Sequence, residues 1–306
     1  MMGSIGKDQL SIVLPARNEA PGLRGLLPRL TARFRDAEII VVDDGSTDDT
    51  VRVCQGQGVS VLSHPCSMGN GAAIKTGARN ARGQVIVFMD ADGQHDPEDI
   101  PHLLRKLDEG YEMVVGARAA SAHASLQRCF ANFFYNHLAS AMTGHRIEDL
   151  TSGFRAVRAR HFRKFLYLLP NGFSYPTTST MAFFRSGFPV AYVPIRTRLR
   201  HSDEASKIRW FKDGLRFFVI ILKIGALFSP MRLFLPISGF LFVTGICYYG
   251  YTYFTEGRFT NMSALLFLSS LFTFLIGILS EQVSALHYKN AGEDQRRTHR
   301  TGGPER

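Results

Sequence analysis

Cysteine is scarce. The chain has four, Cys54, Cys66, Cys129 and Cys247, with no Cys-x-x-Cys pair and no zinc-ligand spacing. That argues against a disulfide framework and suits a reducing compartment. Acidic charge is also short, with 26 Asp and Glu against 36 Lys and Arg and a formal net charge of +10. Such an imbalance calls for an anionic partner: a nucleotide, a phospholipid surface or nucleic acid. Met1 to Gln9 contains no apolar run, so no secretory leader is expected. No Gly-x-Gly-x-x-Gly follows the first strand and no Gly-Lys-Ser/Thr loop is present. Nicotinamide and P-loop chemistry lose most of their support.

Long apolar runs come near the C-terminus. Arg232 and Glu256 enclose 23 uncharged residues, and Arg258 and Glu281 enclose another 22. A membrane-spanning helix needs about 20. The two runs, joined by the short Thr255–Met262 turn, predict a transmembrane helical hairpin. Lys207, Arg209, Lys212, Arg216, Lys223 and Arg232 precede it, and Lys289, Arg296, Arg297, Arg300 and Arg306 follow it. Positive flanks remain on the cytoplasmic side, so both termini and the N-terminal domain are expected to face the cytosol of a multi-pass (inner) membrane protein. Between Trp210 and Phe228, basic residues alternate with aromatic and aliphatic ones, the profile of a helix lying in the membrane interface.

The rest reads as strands alternating with helices of 10–15 residues: Leu10–Pro15, Glu38–Val42, Val59–Leu62, Val85–Met89, Glu112–Gly116 and Val190–Ile195 as strands, with helices between. That order predicts an α/β fold with a mostly parallel sheet covered on both faces. The chain pivots on Val85-Ile86-Val87-Phe88-Met89-Asp90-Ala91-Asp92-Gly93-Gln94, a buried strand that stops in two carboxylates, a glycine and a carboxamide. Oxygen donors of this kind suit Mg²⁺ or Mn²⁺ held together with substrate phosphates. Polar residues also follow the other strands: Asn18 and Glu19, Asp43 and Asp44, and Arg118. In open α/β sheets the ligand crevice lies at the carboxyl ends of the strands, which favours one shared site. Ser46 or Thr47 is expected to cap the helix after the second strand, and Asp43 either caps it or binds ligand. His64, His95, His102 and His201 read as surface or loop histidines, Lys75 as a solvated lysine, and Glu281 as a boundary residue.

The ordered motifs resemble a known family. They are Leu14-Pro15-Ala16-Arg17-Asn18-Glu19, Val42-Asp43-Asp44-Gly45-Ser46-Thr47-Asp48, Gly69-Asn70-Gly71-Ala72-Ala73, Asp90-Ala91-Asp92-Gly93-Gln94, Gly116-Ala117-Arg118, Thr151-Ser152-Gly153-Phe154-Arg155 and Ser206-Lys207. Together they are similar to the inverting GT-A glycosyltransferases of family 2, and within it to the polyprenyl-phosphate branch typified by dolichol-phosphate mannosyltransferases. The resemblance runs from about Leu10 to Phe228 and extends to a two-helix membrane anchor. It implies a Rossmann-like GT-A domain over 1–205, the end of an acceptor loop and an interfacial helix over 206–230, two transmembrane helices over 231–288, and a basic tail over 289–306.

The resemblance also implies roles. Pro15, Arg17, Glu19, Asp44 and Asp90 would contact the nucleotide-sugar, with Asp92 and Gln94 on the metal ion. Asp90, Asp92 and Arg118 would be catalytic, while Arg118, Arg128, Arg200, Ser206 and Lys207 would hold the acceptor phosphate, Arg198 competing with Arg200. The implied reaction moves a sugar, mannose or glucose favoured, from a nucleotide-sugar to undecaprenyl or dolichyl phosphate. A lipid phosphate is already anionic, so cations that hold two anionic substrates together matter more than a strong base. Alternatives are a family 2 enzyme with another lipid or glycan acceptor, and a membrane-tethered nucleotide-sugar binder without catalysis. Nucleic acid is not expected as a partner. The donor, lipid length and oligomeric state stay open, a homo-oligomer among the options.

Overall fold

A computed structural model describes residues 9–118, 126–172, 174–195, 226 and 229–300, with side chains of 126–134 and 287–300 left aside. The chain divides into two units, one holding the sheet and its helices, the other residues 138–144 and two long C-terminal helices.

The sheet is built from β1 (Leu10–Ala16), β2 (Glu38–Asp43), β3 (Ser60–Ser63), β4 (Val85–Phe88), β5 (Met113–Arg118), β6 (Arg155–Arg158) and β7 (Val190–Ile195). Their spatial order is β3-β2-β1-β4-β6-β5-β7. Helices α1 (Ala20–Arg33), α2 (Thr50–Gln55), α3 (Asn70–Asn80), α4 (Ile100–Asp108), α5 (Leu126–Thr143), α6 (Ala159–Lys164) and α7 (Tyr175–Arg185) follow or link the strands. Both faces are covered, which is why β1, β2 and β4 read as continuous apolar runs rather than alternating ones. Ile12, Leu14, Val41, Val85 and Val87 pack with Leu23 and Leu27 of α1 in one core. Each such side chain contributes roughly 1.5–3 kcal/mol by leaving water.

The pairings are parallel except those of β6, which runs antiparallel to both β4 and β5. The sequence pattern assigns no strand here, because Arg155-Ala156-Val157-Arg158 is short and half arginine. The reversal matters for the site. Phe88 at the end of β4 lies opposite Arg155 at the start of β6, so the turn before β6 reaches the edge where β4 and β5 finish.

The second unit contains α8 (Pro230–Glu256) and α9 (Asn261–Arg300). Pro230–Glu256 and Asn261–Leu286 have mean hydropathies of 1.6 and 2.2, and only 11% and 17% of their most apolar windows are buried. Both are long and apolar enough to cross a membrane. Buried helices of a soluble core would hide these side chains, yet Phe240, Phe254 and Leu279 are exposed. Small residues bring the helices together. Gly245 faces Phe267, Gly277 faces Phe234 and Met231, and Ser238 and Ser270 each donate a hydroxyl to the other's carbonyl at 3.0 Å. Glu281 is more than a boundary residue: its Oε2 accepts from Met231 N at 3.3 Å, in the first turn of α8. Unpaired N–H groups and the helix dipole favour a carboxylate there. In the same unit Ser229 Oγ and Arg232 Nη1 donate to the carbonyls of Met142 and Ala141 at 2.8 and 2.7 Å. The backbone of α9 continues to Arg300, so residues 289–300 of the expected basic tail are helical.

Candidate active site

At one edge of the sheet, β1 leads into Arg17-Asn18-Glu19, β2 into Asp44, and β4 into Met89-Asp90-Ala91-Asp92-Gly93-Gln94-His95. β5 ends there at Arg118. The first two loops are tied together. Asn18 N donates to Ser46 Oγ at 2.9 Å and Thr47 N to Asn18 Oδ1 at 2.8 Å. Glu19 N and Ala20 N, at the start of α1, donate to Thr50 Oγ1 and Asp48 Oδ2. Ser46 and Thr47 therefore do not cap α2, which begins at Thr50 after Asp49; they tie the loop after β2 to Asn18 in the loop before α1 instead. Asp43 accepts from Ser46 N at 3.1 Å and shapes that turn. Pro15 is half-buried, as is Glu19, while Arg17 is exposed.

Asp44 is 4% exposed, and both its oxygens are engaged by protein. Oδ1 meets His64 Nδ1 and Met68 N, and Oδ2 accepts from Ser67 Oγ and Gly69 N, all at 2.8 Å. Burial opposes its ionisation, but these bonds win and hold its pKa at about 2. The geometry makes Asp44 the clamp of the 64–69 loop. His64, read as a loop histidine, is the half-buried link from Asp44 to Thr76 Oγ1. Lys75 is not simply solvated, since its Nζ binds Leu169 O at 3.2 Å and Asn171 Oδ1. That anchors a loop whose Asn171 and Gly172 carbonyls accept from Ala72 N and Gly71 N at the start of α3.

The carboxylate turn is braced from two sides. Asp92 Oδ1 accepts from Gln94 N at 3.0 Å, and Gly93 adopts φ +75°, so the chain doubles back after Asp92. α1 lies directly behind it: a Cβ on Gly22 would overlap Ala91 O and stand 3.0 Å from Asp92 Cα. From the other side a Cβ on Gly153 would stand 2.9 Å from both Asp90 oxygens. The 152–155 turn is itself fixed by Ser152 Oγ donating to Gly116 O at 2.7 Å and Tyr175 Oη donating to Gly153 O at 2.9 Å. Arg155, 0% exposed, donates to Ser152 O, Pro176 O, Ser179 Oγ and Thr180 Oγ1. Here lies the physical role of the Gly153-Phe154-Arg155 motif: it forms the wall against which Asp90 sits. His95, read as a loop histidine, is buried beside Asp90 and stacks on Phe154 with centroids 5.0 Å apart and planes at 17°.

Arg118 is held by a carboxylate that sequence reasoning passed over. Its Nε and Nη2 donate to Asp149 Oδ2 and Oδ1 at 2.9 and 3.1 Å, and Nη2 also reaches Thr151 Oγ1 at 2.6 Å. Asp149 stands two residues before Thr151, just ahead of the Thr151-Ser152-Gly153-Phe154-Arg155 motif. The Asp149 contact raises the Arg118 pKa above its ordinary value. Burial works against Asp149's charge, but the Arg118 contacts hold its pKa below the ordinary range. Asp90 retains 38% of its side-chain surface yet is ringed by protein. Burial pushes its pKa up, with His95, Arg118 and Arg155 opposing and Asp92 reinforcing. The buried His95 is shifted down for the same reason. Asp90, Asp92, Gln94 and Arg118 thus share one edge; Arg200, Ser206, Lys207 and, but for residue 226, the interfacial helix expected over 210–228 lie outside the described residues, as does the Arg128 side chain.

Among the described residues no three carboxylate, imidazole or thiolate groups converge on one point. The donor set on the Asp90–Gln94 turn, two carboxylates and a carboxamide, fits a Mg²⁺ or Mn²⁺ ion shared with substrate phosphates rather than an all-protein cage.

Carboxylates on the carboxyl end of a doubly covered sheet, next to a reversed strand, define a Rossmann-like α/β catalytic fold. The family profile for Glycosyl transferase family 2 matches residues 11–166, and that for the GtrB C-terminal hairpin matches 229–286. The chain belongs to glycosyltransferase family 2, with the GT-A fold. An uncharacterized protein of Methanocaldococcus jannaschii is 32% identical over 206 residues, 64% of this chain and 84% of the relative. The undecaprenyl-phosphate 4-deoxy-4-formamido-L-arabinose transferases of Klebsiella pneumoniae and Shewanella sediminis are 36% and 32% identical over 163 and 187 residues. Those matches take in 50% and 55% of this chain and 49% and 56% of the relatives, so the chain spans about half the length of these transferases. Glucosyl-3-phosphoglycerate synthase of Mycobacterium tuberculosis, solved with Mn²⁺, uridine diphosphate and phosphoglyceric acid, aligns with a TM-score of 0.57 at 22% identity over 71% of this chain and 78% of that one. At that identity the likeness is one of fold.

Proposed function

We propose that the protein transfers a sugar from a nucleotide-sugar to polyprenyl phosphate at the cytosolic face of a membrane, with inversion and with a divalent cation. The observation that carries this reading is the pairing, in one chain, of a family 2 domain bearing the braced Asp90–Gln94 turn with a GtrB-type hairpin. Catalysis falls to residues 1–205, acceptor capture to 206–230 and anchoring to 231–288, with 289–306 as a basic cytosolic extension. The names of the arabinose-derivative transferases favour undecaprenyl phosphate as acceptor and add a modified pentose to mannose and glucose as candidate sugars. Dolichol-phosphate mannosyltransferase activity is one member of that set.

Pro15, Arg17 and Glu19 border the nucleoside, and Asp44 keeps the adjoining loop in place. Asp92 and Gln94 hold the cation, which on binding offsets the charge that builds on the leaving diphosphate. Asp90 faces the donor sugar or diphosphate. Arg118, oriented by Asp149, presents positive charge to the two anionic substrates, and Arg128, Arg200, Ser206 and Lys207 complete the acceptor site. The lipid phosphate arrives ionised, so positioning and electrostatics provide most of the acceleration.

The test uses detergent-solubilised protein, undecaprenyl phosphate and labelled UDP-glucose, GDP-mannose, UDP-N-acetylglucosamine or UDP-4-deoxy-4-formamido-L-arabinose, with Mn²⁺, Mg²⁺ or EDTA. One donor should give a chloroform-soluble labelled product. EDTA should abolish it, and Asp92→Ala should lower turnover by about 100-fold or more. Binding of nucleotide without product from any donor would sink the lipid-phosphate reading.

A further inference from the structure

Asp90 is the carboxylate set to face the donor, yet no hydrogen bond fixes it among the described residues. The nearby arginines are committed elsewhere: Arg118 to Asp149 and Thr151, Arg155 to hydroxyls and carbonyls. Its Oδ2 instead stands 3.9 Å from Nδ1 of His95. That nitrogen is buried and has no hydrogen-bond partner. A buried polar atom left unpaired calls for an explanation. The ring is not loosely placed, because stacking on Phe154 sets its plane, and Phe154 follows the Gly153 that admits the Asp90 carboxylate. The bland reading, a histidine kept for packing, explains the stack but not an imidazole edge aimed at a carboxylate.

We propose that His95 is a positioning residue for Asp90: in the donor-bound state its Nδ1–H closes onto the Asp90 carboxylate and holds it in one rotamer. A movement of about 1 Å brings the pair into hydrogen-bond range. This rests on the transferase reading above. His95 acts through Asp90 and does not itself touch the reacting atoms. An ordered carboxylate favours the transition state over a swivelling one, because the ordering is done before the reaction.

The test compares His95→Phe, His95→Asn and His95→Gln in the full-length, detergent-solubilised protein. Phe keeps the stack on Phe154 without an N–H, Asn places an amide nitrogen near the position of Nδ1, and Gln places one nearer Nε2. With the donor that the labelled panel selects, His95→Phe should lower kcat by about tenfold or more. Its Kd for Mn²⁺ with UDP or GDP, read by calorimetry, should change less than about threefold. His95→Asn should recover most of kcat and His95→Gln should not. Full activity in His95→Phe overturns the proposal. So does a parallel loss of kcat, nucleotide affinity and Tm in all three variants, which marks a packing role. If only His95→Phe misfolds, the contrast between Asn and Gln decides. A wild-type protein that binds nucleotide but transfers no sugar refutes the transferase reading, and this inference falls with it; an active wild type with an active His95→Phe refutes the inference alone.

Discussion

Asp44 shows how one charge can organise a loop. Four contacts converge on its carboxylate, two from backbone N–H groups, one from Ser67 and one from the His64 ring. Asp44→Asn removes the charge and turns one acceptor into a donor facing donors. We expect it to destabilise the protein by about 1–3 kcal/mol, read as a fall in Tm. The pH dependence has a definite sign. The folded-state pKa of about 2 lies below the ordinary carboxylate value, so the stabilisation is complete above roughly pH 4 and is lost as pH falls toward 2. The Tm gap between wild type and Asp44→Asn should therefore be constant from neutrality to about pH 5 and narrow below about pH 4. A gap that persists at pH 2.5 or so would rule out ionisation as its source.

At the scale of elements, two glycines let backbone approach the carboxylate turn, and each makes a prediction. Gly22→Ala forces α1 off Ala91 and should cost about 1–3 kcal/mol. Gly25, one turn further along α1, has nothing within 4 Å of its missing Cβ. There Ala should stabilise by about 0.5–1 kcal/mol. Chemical denaturation of the two variants gives opposite shifts if α1 backs the turn as described. Gly153→Ala places its Cβ against both Asp90 oxygens, so turnover should fall by about tenfold or more while Tm changes little. Asp90 and Asp92 were legible in the sequence because a buried strand ending in carboxylates is a local signal. The C-terminal helices were legible because length and hydropathy alone decide them. β6 was not, since four residues with two arginines become a strand only when β4 and β5 flank them. His95 and Asp149 escaped for the same reason: burial and partners supplied by Phe154 and Arg118 give them their meaning.

At the scale of the molecule, two units divide different kinds of work. The sheet unit assembles its candidate site from loops across more than a hundred residues of sequence, Arg17 to Phe154. The hairpin exposes apolar side chains and keeps small and hydroxyl residues between its helices. At 1.5 Å per residue, α8 is about 40 Å long, enough to cross a core of about 30 Å with a tilt. Replacing Ser238, Ser270 or both by alanine should give a coupling energy of about 0.6 kcal/mol in a double-mutant cycle on unfolding in micelles. A cycle that closes to zero would mean the reciprocal hydroxyls contribute no pairing. The antiparallel insertion of β6 also bears on how the enzyme is made. On a ribosome β4 emerges on the order of 70 residues before β6, a wait of roughly 3–14 s at ordinary synthesis rates. Throughout that interval the nascent Asp90 turn has no Gly153 wall, so a chain stalled short of β6 holds both carboxylates without the brace that confines Asp90.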